Sequence, residues 1–410
     1  MDALAACVAY CDPARPLGAV RALPAMTLEL DRGTLQAQLR ELAQQAQAWR
    51  FEVAPNPCVG AAVVSRGEIV ARGFHEHWGG PHAEIAALRE ADRLGVPLSE
   101  RDALLVTLEP CSSFGKTPPC TQAILEAGLR RVVVGATDPD PRHRGQGLEQ
   151  LRRSGVEVLE LVGGTPLEET SPHFVRWTSP ARTRSHRPWV VAKWAQTMTG
   201  QLVPPPEVGD GRWISGPEAL AEVQVLRSRV DAILTGSGTV LADDPRLTLR
   251  GPEAAGAAEG PGRVVLDTHL RTPPEAKLLQ APGPDERGGP LLFFARTDID
   301  PVRARRLVEA SEAPGIEITT ARMADRTHFD LRDVLERLWE RGVRRLMVEA
   351  GPTLLQALFD AGLVDQVRIY TGSVRGGEGP TLGPWLAQAR LEQRMDSEVG
   401  AMARLDAFVS

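Results

Sequence analysis

The sequence predicts an α/β protein of two domains, and three observations carry that prediction. Apolar strand-like runs alternate with amphipathic helical stretches in both halves of the chain, the pattern that layers a sheet between helices. The segment Ala181-Arg-Thr-Arg-Ser-His-Arg-Pro188 interrupts the alternation with a polar, basic, proline-terminated stretch that reads as a linker. A length of 410 residues suits two cores rather than one.

Residues 1–33 read as an irregular tail, broken by Pro13, Pro16 and Pro24. Asp2 and a short apolar stretch, Ala3 to Tyr10, lack the basic start of a signal peptide, so a cytoplasmic protein is expected. Leu35, Leu39, Leu42, Ala46 and Trp49 then recur at helical spacing. Strands over 58–64 and 68–73 flank the Arg66-Gly67 turn. A helix over 83–93, a strand over 103–108 and a helix over 120–127 follow, the last stopped by Gly128. Strand 131–135, helix 147–153 and strand 156–161 complete a first domain placed at 34–180.

The second domain, placed at 188–410, opens with a strand over 189–192. Ser215-Gly216-Pro217-Glu218 has capping-box spacing with proline in the first turn, predicting a helix to about Val230. Strands over 232–235, 263–266, 291–294, 345–348 and 367–370 alternate with helices near 331–341 and 353–361. Residues 251–262 and 280–290, rich in Gly, Pro and Glu, read as surface loops.

Composition narrows the function classes. The net charge of −6 and an aromatic content of 5% offer neither a polyanion-binding surface nor a stacking groove for nucleic acid. No apolar run approaches the ~20 residues that a membrane helix needs. The five cysteines, at 7, 11, 58, 111 and 120, are an odd set for a disulfide framework, so metal or reactive roles lead.

The strongest chemical signal is His82-Ala-Glu84 followed by Pro110-Cys111 and Cys120. A lone buried cysteine is ordinarily a small hydrophobe, and a lone histidine at a helix start is ordinarily a cap. One imidazole and two thiolates in this order instead make a three-ligand zinc set with the fourth position open for water, the catalytic pattern. His82 and Glu84, two apart, serve one site only if the ion sits over the N-terminal end of their helix. Cys120, after Thr117-Pro-Pro119, should also start a helix, where its thiolate is stabilised. Glu84 is not needed as a ligand and suits proton transfer from the zinc water to a ring nitrogen and a leaving amine. The general deaminase pattern has its cysteines three positions apart, whereas here they are nine positions apart. The intervening residues can form a loop over the pocket. Cys58 reads as core, and His75 and His77 as loop residues that could touch substrate.

Pro55-Asn-Pro57, His82-Ala-Glu84, Thr107-Leu-Glu-Pro-Cys111, Gly115-Lys-Thr-Pro-Pro-Cys120, Asp138-Pro-Asp-Pro141 and Gly145-Gln-Gly-Leu148 resemble the deaminase half of the bifunctional riboflavin-biosynthesis deaminase/reductase family. The resemblance implies a cytidine-deaminase-like α-β-α sandwich holding one zinc ion per chain. It implies hydrolytic deamination of a diaminopyrimidine carrying a ribose 5-phosphate, with Asn56 and Lys116 contacting substrate. The family has histidine directly after the Cys-Ser pair, where this chain has Ser113.

In the second half no G-x-G-x-x-G follows a strand, so a standard dinucleotide fold is unsupported. Glu349-Ala-Gly351-Pro-Thr353 follows a strand and opens a helix, a junction whose free N–H groups suit a phosphate. Asp243-Asp-Pro245 after Gly236-Ser-Gly238 reads as a turn after a loop. Lys193-Trp-Ala-Gln-Thr-Met-Thr-Gly200, Trp213-Ile-Ser-Gly216, Thr235 to Pro245, Leu247-Thr-Leu-Arg250 and Val348 to Thr353 resemble the same family's reductase. That likeness implies a dihydrofolate-reductase-like α/β domain using NADPH to open the ribosyl ring to a ribityl chain. It implies cofactor contacts from Ala195, Trp213, Thr239, Asp243, Thr268, Gly351, Pro352, Thr353, Leu354, Leu355, Gln356 and Ala357. Substrate contacts would come from Gly211, Arg227, Leu247, Arg250 and Glu349, the arginines being suited to clamp a phosphate. Two departures stand out: Thr199 where the family has aspartate, and Gly211 where it has serine. They leave open an active deaminase joined to a reductase-like domain that is impaired or only binds ligand. A non-catalytic zinc scaffold is a third reading, against which the intact Glu84 argues. The family's members tend to assemble through the reductase half, so a homo-oligomer is expected.

Overall fold

The computed structural model describes residues 31–410, except 115–117, 162, 184, 206–213, 378 and 380. The tail up to residue 30 and three predicted site residues, Lys116, Gly211 and Trp213, lie outside the described residues. The chain divides into two compact units between residues 184 and 185.

The first helix, α1 (Arg32–Ala46), starts inside the predicted tail because the Asp31 carboxylate accepts the Thr34 N–H at 3.2 Å and caps it. Its buried stripe of Leu35, Leu39 and Leu42 covers one face of a sheet built from β1 (Gly60–Ser65), β2 (Glu68–Phe74), β3 (Ala103–Val106), β4 (Arg131–Val134) and β5 (Glu157–Glu160). The order is β2-β1-β3-β4-β5, antiparallel around β1 and parallel from β3 to β5. The other face carries α2 (Ala83–Arg93), α3 (Cys120–Glu126) and α4 (Gln146–Arg153). α2 buries Ala83, Ala87 and Ala91, small residues that let it lie close to the sheet. At Gly73 of β2 a Cβ would fall 2.0 Å from the Ala87 nitrogen, so only glycine fits there. Short helices follow β5, the longest of them α5 (Pro172–Trp177).

The second unit is built on a sheet ordered β12-β11-β9-β7-β13-β6-β14-β16-β15. Its strands are β6 (Trp189–Gln196), β7 (Ala232–Gly236), β9 (Gly262–Leu266), β11 (Leu291–Ala295), β12 (Glu317–Thr320), β13 (Arg345–Val348), β14 (Gln366–Thr371), β15 (Leu391–Val399) and β16 (Met402–Val409). A small pair, β8 (Leu249–Arg250) with β10 (Glu286–Arg287), stands apart. Strands β12 to β14 run parallel, and β16 and β15 close the edge as an antiparallel hairpin. Helices α6 (Pro217–Ser228), α7 (Ser237–Asp243), α8 (Pro301–Glu309), α9 (Leu331–Glu340), α10 (Pro352–Asp360) and α11 (Gly383–Gln388) complete the unit. Alternate strand residues feed two cores. Val264, Leu346 and Leu355 belong to one, and Val265, Phe293 and Leu307 to the other.

Three expectations need correction. α6 is capped by Gly216 with no side-chain hydrogen bond, so the Ser215 capping box does not form. The Gly236-Ser-Gly238 stretch opens α7 rather than a loop. The presumed surface loops hold strand β10 and a helical turn at Pro252–Ala255.

Candidate functional site

In the first unit, His82 is the N-cap of α2 with extended backbone, and Glu84 lies in the first turn. Cys120 is the first residue of α3, after Pro119 as N-cap. Cys111 follows the end of β3. Two helix starts and a strand end converge, as the spacing predicts. The ligand atoms of His82, Cys111 and Cys120 lie within 4.8 Å of one another. His82 Nδ1 is 3.6 Å from Cys111 Sγ and 3.3 Å from Cys120 Sγ. Tetrahedral zinc with ordinary Zn–S and Zn–N bonds would set nitrogen and sulfur about 3.6 Å apart. The donor set fits one zinc ion with a fourth position open.

The electrostatics point the same way. The hydrogen bond between the two thiols, foremost, pulls Cys111 down to about 4 and pushes Cys120 up. Adjacent thiolates repel, and a divalent cation is what lets both ionise. Burial pushes the Glu84 carboxyl up to about 7, against the pull of His82.

The surroundings fix these groups. The Glu109 carboxylate accepts N–H bonds from Asp138 (3.2 Å), Gly145 (2.9 Å) and Gly147 (3.0 Å), tying Pro110-Cys111 to the 138–147 loop. A Cβ on Gly147 would lie 2.0 Å from the Pro110 oxygen, so the approach requires glycine. Asn56 Nδ2 is 3.1 Å from His75 Nε2, and His75 Nδ1 is 2.9 Å from the Pro81 oxygen. A carbonyl only accepts, so Nδ1 holds the proton and Nε2 accepts from the Asn56 amide. Burial, then the neighbouring His82, holds His75 neutral by pushing it down to about 3. The Asn56 backbone oxygen accepts from His173 Nε2 at 2.8 Å, and Ser171 Oγ from the Cys58 N–H at 2.9 Å. These braces from the start of α5 lie more than a hundred residues downstream, and no sequence motif marks them. Cys58 is buried as expected, and His77 stays in the loop, 3.3 Å from the Trp78 oxygen.

In the second unit the predicted residues gather at the carboxyl ends of adjacent strands, where open α/β sheets bind ligands. Ala195 lies near the end of β6, Glu349 and Gly351 follow β13, Thr239 lies in α7 after β7, and Thr268 follows β9. The Gly351 N–H donates to Thr239 Oγ1 at 2.9 Å and ties the two central junctions together. In the first turn of α10, Thr353 and Leu354 have N–H groups without an intrahelical acceptor, a cradle that fits a cofactor phosphate. Pro352 has no N–H, the Leu355 N–H is taken by the Gly351 oxygen at 3.2 Å, and the Leu355 side chain is core. Gln356 bonds Asp360 at 2.7 Å, Ala357 is exposed, and Asp243 ends α7.

Arg227 grips Glu349 with both arms, Nε to Oε1 at 2.7 Å and Nη2 to Oε2 at 3.0 Å, while Nη1 donates to the Thr248 oxygen at 2.9 Å. Each of its three nitrogens makes one bond within the protein. Burial alone would raise the Glu349 carboxyl, but Arg227 and Lys193 outweigh it and hold it at about 2. Arg250 is exposed, with its N–H bonded to Gln224 Oε1 at 2.9 Å. Leu247 is buried beside it with a left-handed backbone (φ 55°). Thr199 takes a structural part: its Oγ1 accepts the Gly376 N–H at 2.9 Å and holds the 374–377 loop to the end of β6.

Comparison with known proteins follows this division. Residues 34–136 match the cytidine and deoxycytidylate deaminase zinc-binding region, and residues 188–394 match the RibD C-terminal domain. The riboflavin biosynthesis protein RibD of Aquifex aeolicus is 34% identical over 358 residues, which cover 87% of this chain and 91% of the relative. Its Escherichia coli counterpart is 36% identical over 334 residues, covering 79% and 84%. Among solved structures, Acinetobacter baumannii RibD superposes with a TM-score of 0.63 at 26% identity, over 93% of this chain and all of that one. A Thermotoga maritima diaminohydroxyphosphoribosylaminopyrimidine deaminase/5-amino-6-(5-phosphoribosylamino)uracil reductase gives a TM-score of 0.60 at 28% identity, over 92% and 99%.

Proposed function

This chain belongs to the RibD family of riboflavin biosynthesis proteins, bifunctional enzymes that deaminate and then reduce, and we propose how its own residues divide that work. Zinc and NADPH are its cofactors. A second unit that merely binds ligand is not favoured, because the family match runs through the reductase region as well as the deaminase region.

The deaminase comprises residues 34–180, and His82, Cys111 and Cys120 hold the metal. The zinc ion, when bound, supplies an acidified water as nucleophile. The Glu84 carboxylate takes a proton from the attacking water and gives it to the pyrimidine ring nitrogen, then takes a second from the hydroxyl so added and gives it to the departing amine as its C–N bond breaks. No described residue donates to Asn56 Oδ1, and the His75 bond fixes which end of the amide turns to substrate. Lys116 and Asn56 contact a phosphorylated ribosylaminopyrimidine.

The reductase comprises residues 188–410. Ala195, Trp213, Thr239, Asp243, Thr268 and the start of α10 hold NADPH, which supplies hydride to the sugar-derived carbon. Arg250 contacts the substrate phosphate, with Gly211 and Leu247 nearby. Arg227 holds Glu349 ionised to accept a substrate hydroxyl. The protein is placed in the cytoplasm, as a homo-oligomer joined through the reductase. No described helix is long and apolar enough to cross a membrane.

The convergence of His82 Nδ1 with two sulfurs, beside a buried carboxyl, carries the reading. Glu84→Gln should keep about one zinc per chain and reduce ammonia release by a factor on the order of 10²–10⁴. Turnover at the wild-type rate would overturn the assignment. Addition of the deaminated product should then oxidise NADPH, and absence of oxidation with cofactor still bound would refute the reductase assignment.

A further inference from the structure

Resting on the cofactor groove just described, we propose that Arg271 recognises the 2′-phosphate of NADPH and so selects that cofactor over NADH. The order β9-β7-β13-β6 sets the direction of the groove. Lys193 on β6 and Arg227 with Glu349 at the end of β13 mark its substrate side, so the nicotinamide lies there. The Thr239–Gly351 junction is central, and the adenosine half must run outward to the end of β9, two strand spacings or about 10 Å from β13. Arg271 stands on the loop that follows β9. Its Nη2 donates to Ser237 Oγ at 2.7 Å, which reaches across from β9 to the start of α7.

That loop is built to present the arginine. Asp267 is fully buried, and its Oδ2 accepts from the Thr272 N–H (2.8 Å) and hydroxyl (2.7 Å). Leu270 adopts a left-handed backbone (φ 47°) with its side chain in the core, and Arg271 next to it is exposed. The carboxylate that would favour the free ribose hydroxyl of NADH is therefore turned inward, while a guanidinium faces out. Other acids of this edge have partners: Asp298 pairs with Arg296 at 2.6 Å and Asp244 with Lys277 at 3.3 Å. Among the described residues no carboxylate pairs with Arg271. With only one arm on Ser237, its fork remains available to a dianion. Arg303, whose Nη1 donates to the His269 oxygen at 3.1 Å, charges the same loop without touching Ser237.

The test is the dissociation constant of NADPH and of NADH for the full-length protein, followed by cofactor fluorescence without substrate. In Arg271→Gln the NADPH constant should rise roughly 10- to 100-fold while that for NADH stays within about twofold. Ser237→Ala should shift the ratio in the same direction by less, and Arg303→Gln should leave it alone. Thermal melts confirm that the variants fold. An unchanged ratio in Arg271→Gln overturns the proposal, as does an equal loss for both cofactors, which would place the arginine on the shared pyrophosphate. A wild type that binds neither cofactor would instead bring down the groove itself.

Discussion

In the first unit His82, Glu84, Cys111 and Cys120 meet with no lysine or arginine bonded to any of them among the described residues. In the second unit the Glu349 carboxylate is already compensated from within, by Arg227 bonded to it and by Lys193 nearby, leaving the three groups with one positive charge in excess. The first set has donors and acidic hydrogens to spare and is completed by a cation from outside. The second holds its own cations and offers a preset carboxylate, with one positive charge over, to a visitor. Loss of one member should therefore act differently in the two places, through metal in one and through folding in the other.

The sharpest break is Cys120→Ser. Thiolate is the better zinc donor, and a two-ligand remnant does not hold the ion. Zinc measured by elemental analysis should fall from about one per chain to near zero, and ammonia release should vanish. NADPH oxidation on the deaminated product should persist, since its groups lie in the other unit. Loss of both activities would show that the units are not independent.

Glu349→Gln tests the opposite case. Removing the carboxylate strands the buried Arg227 and takes the countercharge from the half-buried Lys193, a change that costs on the order of 3–5 kcal/mol. The melting transition of the second unit should drop while zinc content and deamination stay. An unshifted melt would mean that Arg227 and Lys193 find other partners.

The same contrast explains what the sequence disclosed. Zinc needs particular residue types, so His82, Cys111 and Cys120 were legible across a span of 38 residues, and proline before Cys120 announced the helix start that presents it. The groove of the second unit uses backbone amides and strand ends, so the residues alone marked only the Glu349–Thr353 junction as suited to a phosphate, and the family likeness supplied the rest. The Arg227–Glu349 pair joins residues 122 apart, a helix to the end of a strand, and no local pattern marks it. The hairpin of β15 and β16 escaped notice because the edge strand carries Glu392, Arg394, Asp396 and Glu398 and is bent near Gln393 (φ 49°). Gly236-Ser-Gly238 looked like a loop because glycine and serine favour turns, yet β7 delivers them into α7.

The smallest effect separates the units by pH. His173 is fully buried under the Asn56 turn, and burial pushes it down to about 4, with its bond to the Asn56 oxygen opposing. The unfolded chain, with an ordinary histidine near 6.5, binds that proton first. His173 therefore favours folding above about pH 6.5, and its contribution falls away as pH drops toward 4, by about 2 kcal/mol at pH 5. Glu349 is also depressed, to about 2 from 4.5, so its contribution stays whole until the pH falls below about 4.5. Between pH 7.5 and 5 the first unit should weaken and the second should not. Melts of the wild type and of His173→Gln, whose amide can still donate to the Asn56 oxygen, decide this. The variant should reduce the pH dependence of the first transition, with the buried His75 supplying what remains. If the wild-type first transition does not move, or the second moves with it, the contrast between an open and an internally paired charge set does not extend beyond the sites themselves.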